Sequence, residues 1–324
     1  MQAALAGLRK YQEAERPPPA PLMPAIAEAH GAALRDYGGG PGTGSNAAAP
    51  PVLFVPSLIN PPGVLDMGDR SLLRWLGGQG RRVLLLDWGW PGPDRRTLSV
   101  AGHVERILLP LMRGLGGPVD LVGYCLGGTM ALAAARLGPA RSVATIAAPW
   151  HFDGFPAEAR AGLDGLWAAA QPAVRALGLL PMEVLQSAFW SLDPARTIAK
   201  FEAFAGLDGE EARTFVMLED WANDGPPLAE AAAREMFETL FAGNAPGTGQ
   251  WAVGGERIDP SALSIPLLNI VSTTDRIVPA ATAVRAGERL DLALGHVGMV
   301  VGSRARQALW EPLAGWLSRT AASC

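Results

Sequence analysis

The chain has 324 residues and a mass of 33.9 kDa, which is enough for one or two domains and a sizeable hydrophobic core. Hydrophobic residues make up 49% of it and charged residues 18%, which excludes a disordered chain, and no apolar run approaches the roughly 18 residues of a membrane span. Twenty-seven basic residues against 31 acidic ones give a formal net charge of −4, so the chain has no general electrostatic footprint for binding nucleic acid.

Lysine and cysteine are both scarce, which excludes several classes of binding site and cross-link. Lys10 and Lys200 are the only lysines, and neither stands in the Gly-Lys-Ser/Thr context of a P-loop. Cys125 and Cys324 are the only cysteines, so a disulfide framework and a cysteine-rich zinc site are excluded. We expect neither a metal ion nor a bound organic cofactor.

Residues 1–48 are predicted to form a helical arm and a linker ahead of a main domain at 49–324. Alanine, leucine and alternating charges at 1–16 are typical of a short amphipathic helix, which the prolines of 17–24 end. A second helical stretch is predicted at 25–34. The glycine-rich run 38–44 neither follows a strand nor opens a helix, so we interpret it as a flexible connector and not as a phosphate-binding loop. The N-terminus lacks the pattern of a signal peptide, which predicts a cytoplasmic protein.

From residue 51 onward, short apolar runs alternate with helical segments. The runs are apolar at nearly every position, which is typical of strands buried on both faces. They span 51–56, 82–88, 119–123, 142–148 and 266–272, and the helical segments 71–80, 104–116 and 128–138 each close on a glycine. This alternation predicts an α/β fold with a mostly parallel sheet covered by helices on both faces. Active residues in such folds follow the carboxyl ends of the strands.

The turn after the third run has the form Gly-X-Cys-X-Gly and lies between a predicted strand and a predicted helix. Gly123 and Gly127 flank Cys125, and Gly128 adds a third glycine. In the serine version of this turn the nucleophile occupies a sharp corner where side chains on its neighbours would collide. The start of the following helix favours a thiolate, and the N–H of Leu126 is placed to donate to an oxyanion. The alternative is a buried structural cysteine.

Four histidines are candidates for the base that activates Cys125. His296 is preferred because it stands in LALGHVGMVVG, where a further short apolar run is followed by a loop with glycines on both sides; in a parallel sheet this is the loop after the last strand. His151 also follows a strand and remains the rival base. His30 is expected to be solvated in the N-terminal helical stretch, and a surface position is the usual case for His103.

A carboxylate that orients the base is expected after another strand. Asp275 follows the run 266–272 closely, and the chain order Cys125, Asp275, His296 matches the nucleophile–acid–base order of α/β-hydrolases. The alternative role of Asp275 is to cap the following helix or to pair with Arg276.

The second oxyanion donor is expected from the loop that follows the first core strand. The N–H of Leu58 is preferred, with those of Ser57 and Ile59 as close alternatives. Prolines have no N–H, which removes Pro56 and Pro61 from consideration.

Residues 151–250 interrupt the strand–helix rhythm and are predicted to form a helical cap inserted near the active face. Most aromatic residues of this segment are expected to pack between cap and sheet, and a minority to line an acyl channel. The acidic stretch 201–225 is predicted to be the moving part of the cap.

From about residue 51 onward the chain resembles the polyhydroxyalkanoate synthases, and their short, two-subunit class in particular. The resemblance rests on the segments VPSLINPPGVLD, LVGYCLGGTMALAAA, VGGERIDPSALSIPLLNIVSTTDRIVP and GHVGMVVG. It implies an α/β-hydrolase fold in which Cys125 carries the growing chain as a thioester, His296 activates the thiol or the incoming hydroxyl, and Asp275 assists His296. The implied substrate is (R)-3-hydroxyacyl-coenzyme A, with release of coenzyme A.

The resemblance leaves two other functions open. Intracellular polyhydroxyalkanoate depolymerases share the cysteine turn and the fold, so a hydrolase of polyester, oligomer or thioester is the alternative, and a non-catalytic homologue that binds granules or partners is the third. The partners that the resemblance suggests are a second synthase subunit, a second copy of the chain or a polymer granule surface. The family's motif of a tryptophan followed by an acidic residue is matched only loosely by residues 219–224.

Overall fold

The computed structural model describes residues 2–17, 21–38, 50–191 and 194–322, and within them an eight-stranded sheet forms the centre of the protein. The strands are β1 (Ala25–Ala29), β2 (Ala32–Asp36), β3 (Val52–Val55), β4 (Val83–Asp87), β5 (Val119–Tyr124), β6 (Ala140–Ile146), β7 (Leu267–Ser272) and β8 (Glu288–Leu292). Most of the predicted connector at 38–44 lies outside the described residues, as does Cys324.

The strand order across the sheet is β1-β2-β4-β3-β5-β6-β7-β8. Strands β4, β3, β5, β6, β7 and β8 pair in parallel, and β1 and β2 add to the β4 edge in antiparallel fashion. The five apolar runs predicted as strands are confirmed as β3 to β7. Their carboxyl ends share one edge of the sheet, which is the edge where the candidate residues were expected.

The helix predicted at 25–34 is wrong, because this segment is the β1–β2 hairpin. His30 and Gly31 connect the two strands with φ angles of +50° and +77°, which is the backbone of a two-residue hairpin turn. Alanine favours a helix locally, but β2 pairs with β4 and buries Ala32 and Leu34 in the core. The gain from strand pairing and burial outweighs the small difference in helix propensity.

The helices cover both faces of the sheet, form the segment between β6 and β7 or, in the case of α1, pack on that segment. They are α1 (Gln2–Gln12), α2 (Leu72–Gly78), α3 (Val100–His103, continued by a π-helix over Val104–Leu108 and an α-helix over Leu109–Gly114), α4 (Leu126–Leu137), α5 (Ala157–Leu177), α6 (Met182–Ser191), α7 (Pro194–Phe204), α8 (Gly209–Asn223), α9 (Glu230–Arg234, continued by a π-helix over Glu235–Ala242), α10 (Gly298–Val301) and α11 (a π-helix over Arg306–Trp310, continued by an α-helix over Glu311–Ala322). No helix within the described ranges is long and apolar enough to cross a bilayer.

The sheet separates two apolar layers, because successive side chains of a strand point to opposite faces. Along β5, Leu121 belongs to one layer, and Val122 and Tyr124 belong to the other. Helices α5 to α9 lie between β6 and β7 in the chain and form a helical insertion, which we call the insertion. Of its aromatic residues, Trp167, Phe204 and Phe237 are buried, whereas the side chain of Phe189 lies outside the described part.

A buried ion cluster ties β5 to its neighbours. The Asp120 carboxylate is fully buried and accepts hydrogen bonds from Arg81 (2.6 Å), from Arg141 Nε (2.9 Å) and from the Ser142 hydroxyl (2.7 Å). Burial lowers the pKa of the Arg81 guanidinium despite the neighbouring carboxylate. Two arginines would therefore remain buried without a counter-charge if Asp120 lost its charge.

We predict that Asp120→Asn lowers the free energy of unfolding by about 3 kcal/mol, since breaking a buried ion pair leaves its partners uncompensated. The matched control is Asp291→Asn, because the Arg289–Asp291 pair is about half exposed on both sides. This control should cost less than about 0.5 kcal/mol. Urea unfolding monitored by tryptophan fluorescence measures both, and equal losses would contradict the prediction.

Candidate active site

Cys125 occupies a strained backbone bend between β5 and α4. Its φ and ψ are +55° and −132°, a region that non-glycine residues rarely adopt. The bend is held by the hydrogen bonds from Cys125 N–H to Ile146 O (2.9 Å) and from Gly128 N–H to Cys125 O (2.8 Å). It places the side chain of Cys125 in a cavity at the carboxyl edge of the sheet.

The glycines around Cys125 are needed because their backbones touch other parts of the chain. A Cβ atom on Gly127 would lie 2.1 Å from the carbonyl oxygen of Val55, and one on Gly123 would lie 2.4 Å from Gly128 Cα. A Cβ atom on Gly128 would lie 2.3 Å from Ala148 Cβ. The turn therefore packs directly on β3 and on the end of β6.

Asp275 and His296 come together from the loops after β7 and β8. The Nδ1 atom of His296 lies 2.6 Å from Oδ2 of Asp275, and both side chains are almost completely buried. The other carboxylate oxygen of Asp275 accepts hydrogen bonds from the N–H groups of Ile277 (2.7 Å) and Val278 (3.1 Å). Asp275 thus orders its own loop and binds His296 with the same side chain.

His296 also faces Cys125, and both residues line the same cavity. Because Nδ1 contacts Asp275, the sulfur of Cys125 is left to the Nε2 atom. Burial alone would lower the pKa of His296, but the neighbouring Cys125 and the hydrogen-bonded carboxylate of Asp275 outweigh it and raise that pKa to about 10. The ring of Tyr124 lies 5.0 Å from that of His296 and closes one side of the site.

The cavity that contains Cys125 has a volume of about 460 Å³, within the usual range for small-molecule sites. Its floor includes Cys125, Asp275 and His296. Its roof comes from the insertion, with Gln186, Trp190, Thr197, Lys200, Glu219, Trp221 and Ala222. The candidate residues therefore lie under the insertion.

The loop after β3 forms one wall of this cavity. Ser57 and Ile59 line the cavity, whereas the side chain of Leu58 is buried in the core. The N–H of Ile59 donates to the Ser57 hydroxyl (3.1 Å), so it is already engaged. The N–H groups of Leu58 and Ser57 remain the candidates from this loop.

The other histidines lie away from Cys125. His151 is not among the described residues that line the cavity, and its N–H donates to Thr282 O (2.8 Å). His30 lies in the β1–β2 turn, partly exposed, with Nδ1 2.9 Å from Asp94.

The surface position expected for His103 is wrong. Its ring is buried, packs edge-on to Trp88, and its Nδ1 lies 2.7 Å from Ser99 O. Burial, together with the nearby Arg95, lowers the pKa of His103 to about 4, although the Ser99 hydrogen bond opposes this. His103 is buried because helix α3 turns the face that carries it toward the core.

Two further residues of the cavity, Tyr124 and Lys200, were not recognised in the sequence, whereas Glu219 lies in the segment 219–224 that loosely matches the family's tryptophan–acidic motif. Tyr124 packs on His296, and the Lys200 ammonium binds both carboxylate oxygens of Glu219 at 2.6 and 2.8 Å in the roof. The scarcity of lysine was the one available signal, since Lys200 is one of only two lysines. Among the described residues, no group of three or more His, Cys, Asp and Glu side chains is arranged to hold a metal ion.

Comparison with known proteins identifies the family to which the chain belongs. A family model described as "Alpha/beta hydrolase family" matches residues 52–310, which is most of the chain. The chain belongs to the alpha/beta hydrolase family. Solved structures share the fold at low identity: a monoacylglycerol lipase from Paleococcus ferrophilus (TM-score 0.54, 16% identity, 89% of this chain and 99% of that one) and a carboxylesterase from Nitrososphaera gargenis (TM-score 0.56, 13% identity, 93% and 100%).

Within this family the chain is similar to poly(3-hydroxyalkanoate) polymerase subunits PhaC. The subunit from Allochromatium vinosum is 29% identical over 290 residues, covering 83% of this chain and 80% of that protein. The subunit from Haloferax mediterranei is 29% identical over 287 residues, but this chain spans only 58% of its length. The resemblance to polyhydroxyalkanoate synthases and the predicted α/β-hydrolase fold are confirmed.

We predict that Gly127→Ala destabilises this α/β-hydrolase by about 2 kcal/mol, since the added methyl group forces the turn away from β3. Gly162→Ala is the control, because Gly162 is an exposed residue within α5 and no atom lies within 4 Å of an added Cβ. The control should gain about 0.5–1 kcal/mol from helix propensity. Thermal unfolding measures both variants, and a neutral Gly127→Ala would contradict the close packing of the turn.

We predict that His103 makes the free energy of unfolding fall as the pH drops from about 6.5 to about 4. In this window the unfolded chain binds a proton at His103 and the folded chain does not, so acid favours unfolding. His103→Gln should show a smaller loss of stability between pH 7 and pH 5 than the original protein. Urea titrations at the two pH values test this, and identical losses would count against it.

Proposed function

We propose that this protein is a cysteine-dependent acyltransferase that polymerises (R)-3-hydroxyacyl-coenzyme A into polyhydroxyalkanoate and releases coenzyme A. The observation that supports the proposal is that Cys125 and His296 line one cavity, with His296 held by Asp275 at 2.6 Å. The similarity to polymerase subunits supports the substrate class.

In the first step, His296, whose raised pKa lets it hold the proton of the Cys125 side chain, leaves the sulfur free to attack the thioester carbonyl of the substrate. The carbon–sulfur bond to coenzyme A breaks, and the protonated His296 returns its proton to the leaving thiolate. The product is an acyl thioester on Cys125. One thioester replaces another, so the exchange is close to balanced in free energy.

The developing oxyanion needs donors in a dry site. The N–H of Leu126 is the first in α4 and has no acceptor within the helix, and it lies directly after the nucleophile. The N–H of Leu58, from the loop after β3, is the proposed second donor. Asp275 holds His296 in one orientation and stabilises its protonated form, which is the role of the carboxylate in such triads.

In the second step, the hydroxyl of another 3-hydroxyacyl group attacks the acyl thioester. His296 accepts the hydroxyl proton, an ester bond forms, and the carbon–sulfur bond to Cys125 breaks. The proton then returns to the sulfur. Repetition of the two steps lengthens the polyester.

Hydrolysis of a polyester, its oligomers or a thioester is the second candidate function. It uses the same three residues, with water as the acceptor. The polar lining of the cavity favours it, because Gln186, Lys200 and Glu219 are groups to which a water molecule can bind. A non-catalytic role in binding granules or partners is the third candidate, and it requires that Cys125 be dispensable.

The proposed reaction needs no metal ion and no bound cofactor, since coenzyme A enters as part of the substrate. We propose a cytoplasmic location, with the polymer granule as the surface on which product accumulates. A second synthase subunit or a second copy of the chain is the proposed partner.

We predict that purified protein releases coenzyme A from (R)-3-hydroxybutyryl-coenzyme A and gains the mass of the acyl group on Cys125. Cys125→Ala should abolish both effects. His296→Gln and Asp275→Asn should each lower the rate by about 10²–10⁴-fold, the usual contribution of acid–base groups. Thiol release and mass spectrometry of peptides are the measurements, and assaying free hydroxy acid beside polymer separates hydrolase from synthase.

Two control variants make this test specific. His151→Gln should keep its activity, because His151 lies outside the cavity, and Cys324→Ser should still carry the acyl group. Full acylation and thiol release in the Cys125→Ala variant would remove the proposed mechanism. Loss of activity in His151→Gln with a normal His296→Gln variant would assign the base to the rival histidine.

A further inference from the structure

The N-terminal helix α1 lies against the insertion. A Cβ atom on Gly7 would lie 1.8 Å from the carbonyl oxygen of Phe201 in α7, so the two helix backbones are in direct contact. The ring of Tyr11 packs edge-on to that of Phe201, with 5.9 Å between the ring centres. The Lys10 ammonium donates to the Leu207 carbonyl and to Asp208 (3.1 Å) just beyond the end of α7. Residues from the start of the chain therefore hold the α7–α8 corner.

Asp220 in α8 connects this arm to the second helix of the corner. Its carboxylate accepts hydrogen bonds from the Tyr11 hydroxyl (2.6 Å) and from Nε and Nη2 of Arg16 (both 3.0 Å). The Arg16 guanidinium lies over the ring of Tyr11, 4.9 Å from its centre. Burial and the Asp220 carboxylate raise the pKa of Tyr11 to about 12, so its hydroxyl remains a donor at neutral pH.

The residues on both sides of Asp220 line the cavity. Glu219 binds Lys200 and thereby joins α8 to α7 in the roof. The indole N–H of Trp221 donates to Pro61 O (2.7 Å), at the end of the loop that follows β3. Helix α8 is thus held from outside by the arm and contacts the reactive cavity from inside.

We propose that α1 is an intramolecular brace that positions the roof of the cavity, with Tyr11 and Arg16 as positioning residues that act through Asp220. A fixed roof limits how much water reaches an acyl thioester on Cys125. Cleavage of that thioester breaks the carbon–sulfur bond and returns a proton to the sulfur, whether the acceptor is a hydroxyl or water. The brace therefore favours transfer to a hydroxyl, and this part of the inference rests on the proposed function.

The first test uses Gly7→Leu in the full chain. Leucine favours a helix more than glycine does, so α1 itself is not weakened, but its side chain cannot fit against Phe201. We expect amide hydrogen exchange in 195–223 to become about tenfold faster or more, because this region opens more easily. Ala6→Leu is the matched control, since it adds a similar bulk at an exposed position of α1, and it should leave exchange unchanged.

The second test removes single hydrogen bonds in case Gly7→Leu folds poorly. Tyr11→Phe and Asp220→Asn keep the size of each side chain and weaken the link between arm and α8. Each should accelerate exchange in 209–223 and raise the ratio of free hydroxy acid to polymer formed from (R)-3-hydroxybutyryl-coenzyme A by severalfold. Ala6→Leu should keep the original ratio.

The outcomes separate the brace from the reaction. Exchange that is equally slow in Gly7→Leu, Tyr11→Phe and Asp220→Asn overturns the brace, and this readout needs no activity, because it can be repeated in a Cys125→Ala background. Faster exchange with an unchanged ratio of acid to polymer overturns the role in water access. Failure of the original protein to form any acyl product on Cys125 overturns the proposed function instead, and the exchange data still decide on the brace.

Discussion

The backbone bend at Cys125 is the constraint on which the rest of the site depends. A positive φ at a residue with a side chain costs about 1–3 kcal/mol, and it persists only where the surroundings enforce it. Here the surroundings are the carbonyl groups of β3 and the end of β6, against which Gly127 and Gly128 pack without room for a methyl group. The two apolar layers of the sheet keep these backbones in place, so the core stabilises the conformation that exposes the sulfur to the cavity.

The part of the site that the sequence predicted is the part built on buried parallel strands. Nearly continuous apolar runs have few alternatives to such strands, and the parallel arrangement brings their carboxyl ends to one edge. Cys125 and Asp275 each follow one of these strands closely, and His296 follows β8, a mostly exposed strand at the edge of the same sheet, so their meeting required only that the strands pair in one sheet. The contact between His296 and Asp275 is the result.

The predictions that are wrong concern segments where the local preference of the sequence and the tertiary packing disagree. The segment 25–34 is rich in alanine and was predicted as a helix, yet the His30–Gly31 turn and pairing with β4 make it two strands. His103 was expected at the surface because it stands just ahead of a helical run, whereas its helix face is buried and its ring nitrogen lies 2.7 Å from a backbone carbonyl oxygen. The roof could not be predicted, because Lys200 and Glu219 meet through the packing of two helices that no local pattern relates to the sheet.

Two hydrogen bonds couple movement of the insertion to one wall of the cavity. Trp221 binds the carbonyl of Pro61, and the side-chain amide of Asn60 donates to Ala222 O (3.3 Å), so the insertion is fastened to the loop that follows β3. Movement of this part of the insertion away from the loop would break both bonds and remove the support of the cavity wall that Ser57 and Ile59 line. The opening of the cavity and the order of this wall are therefore coupled.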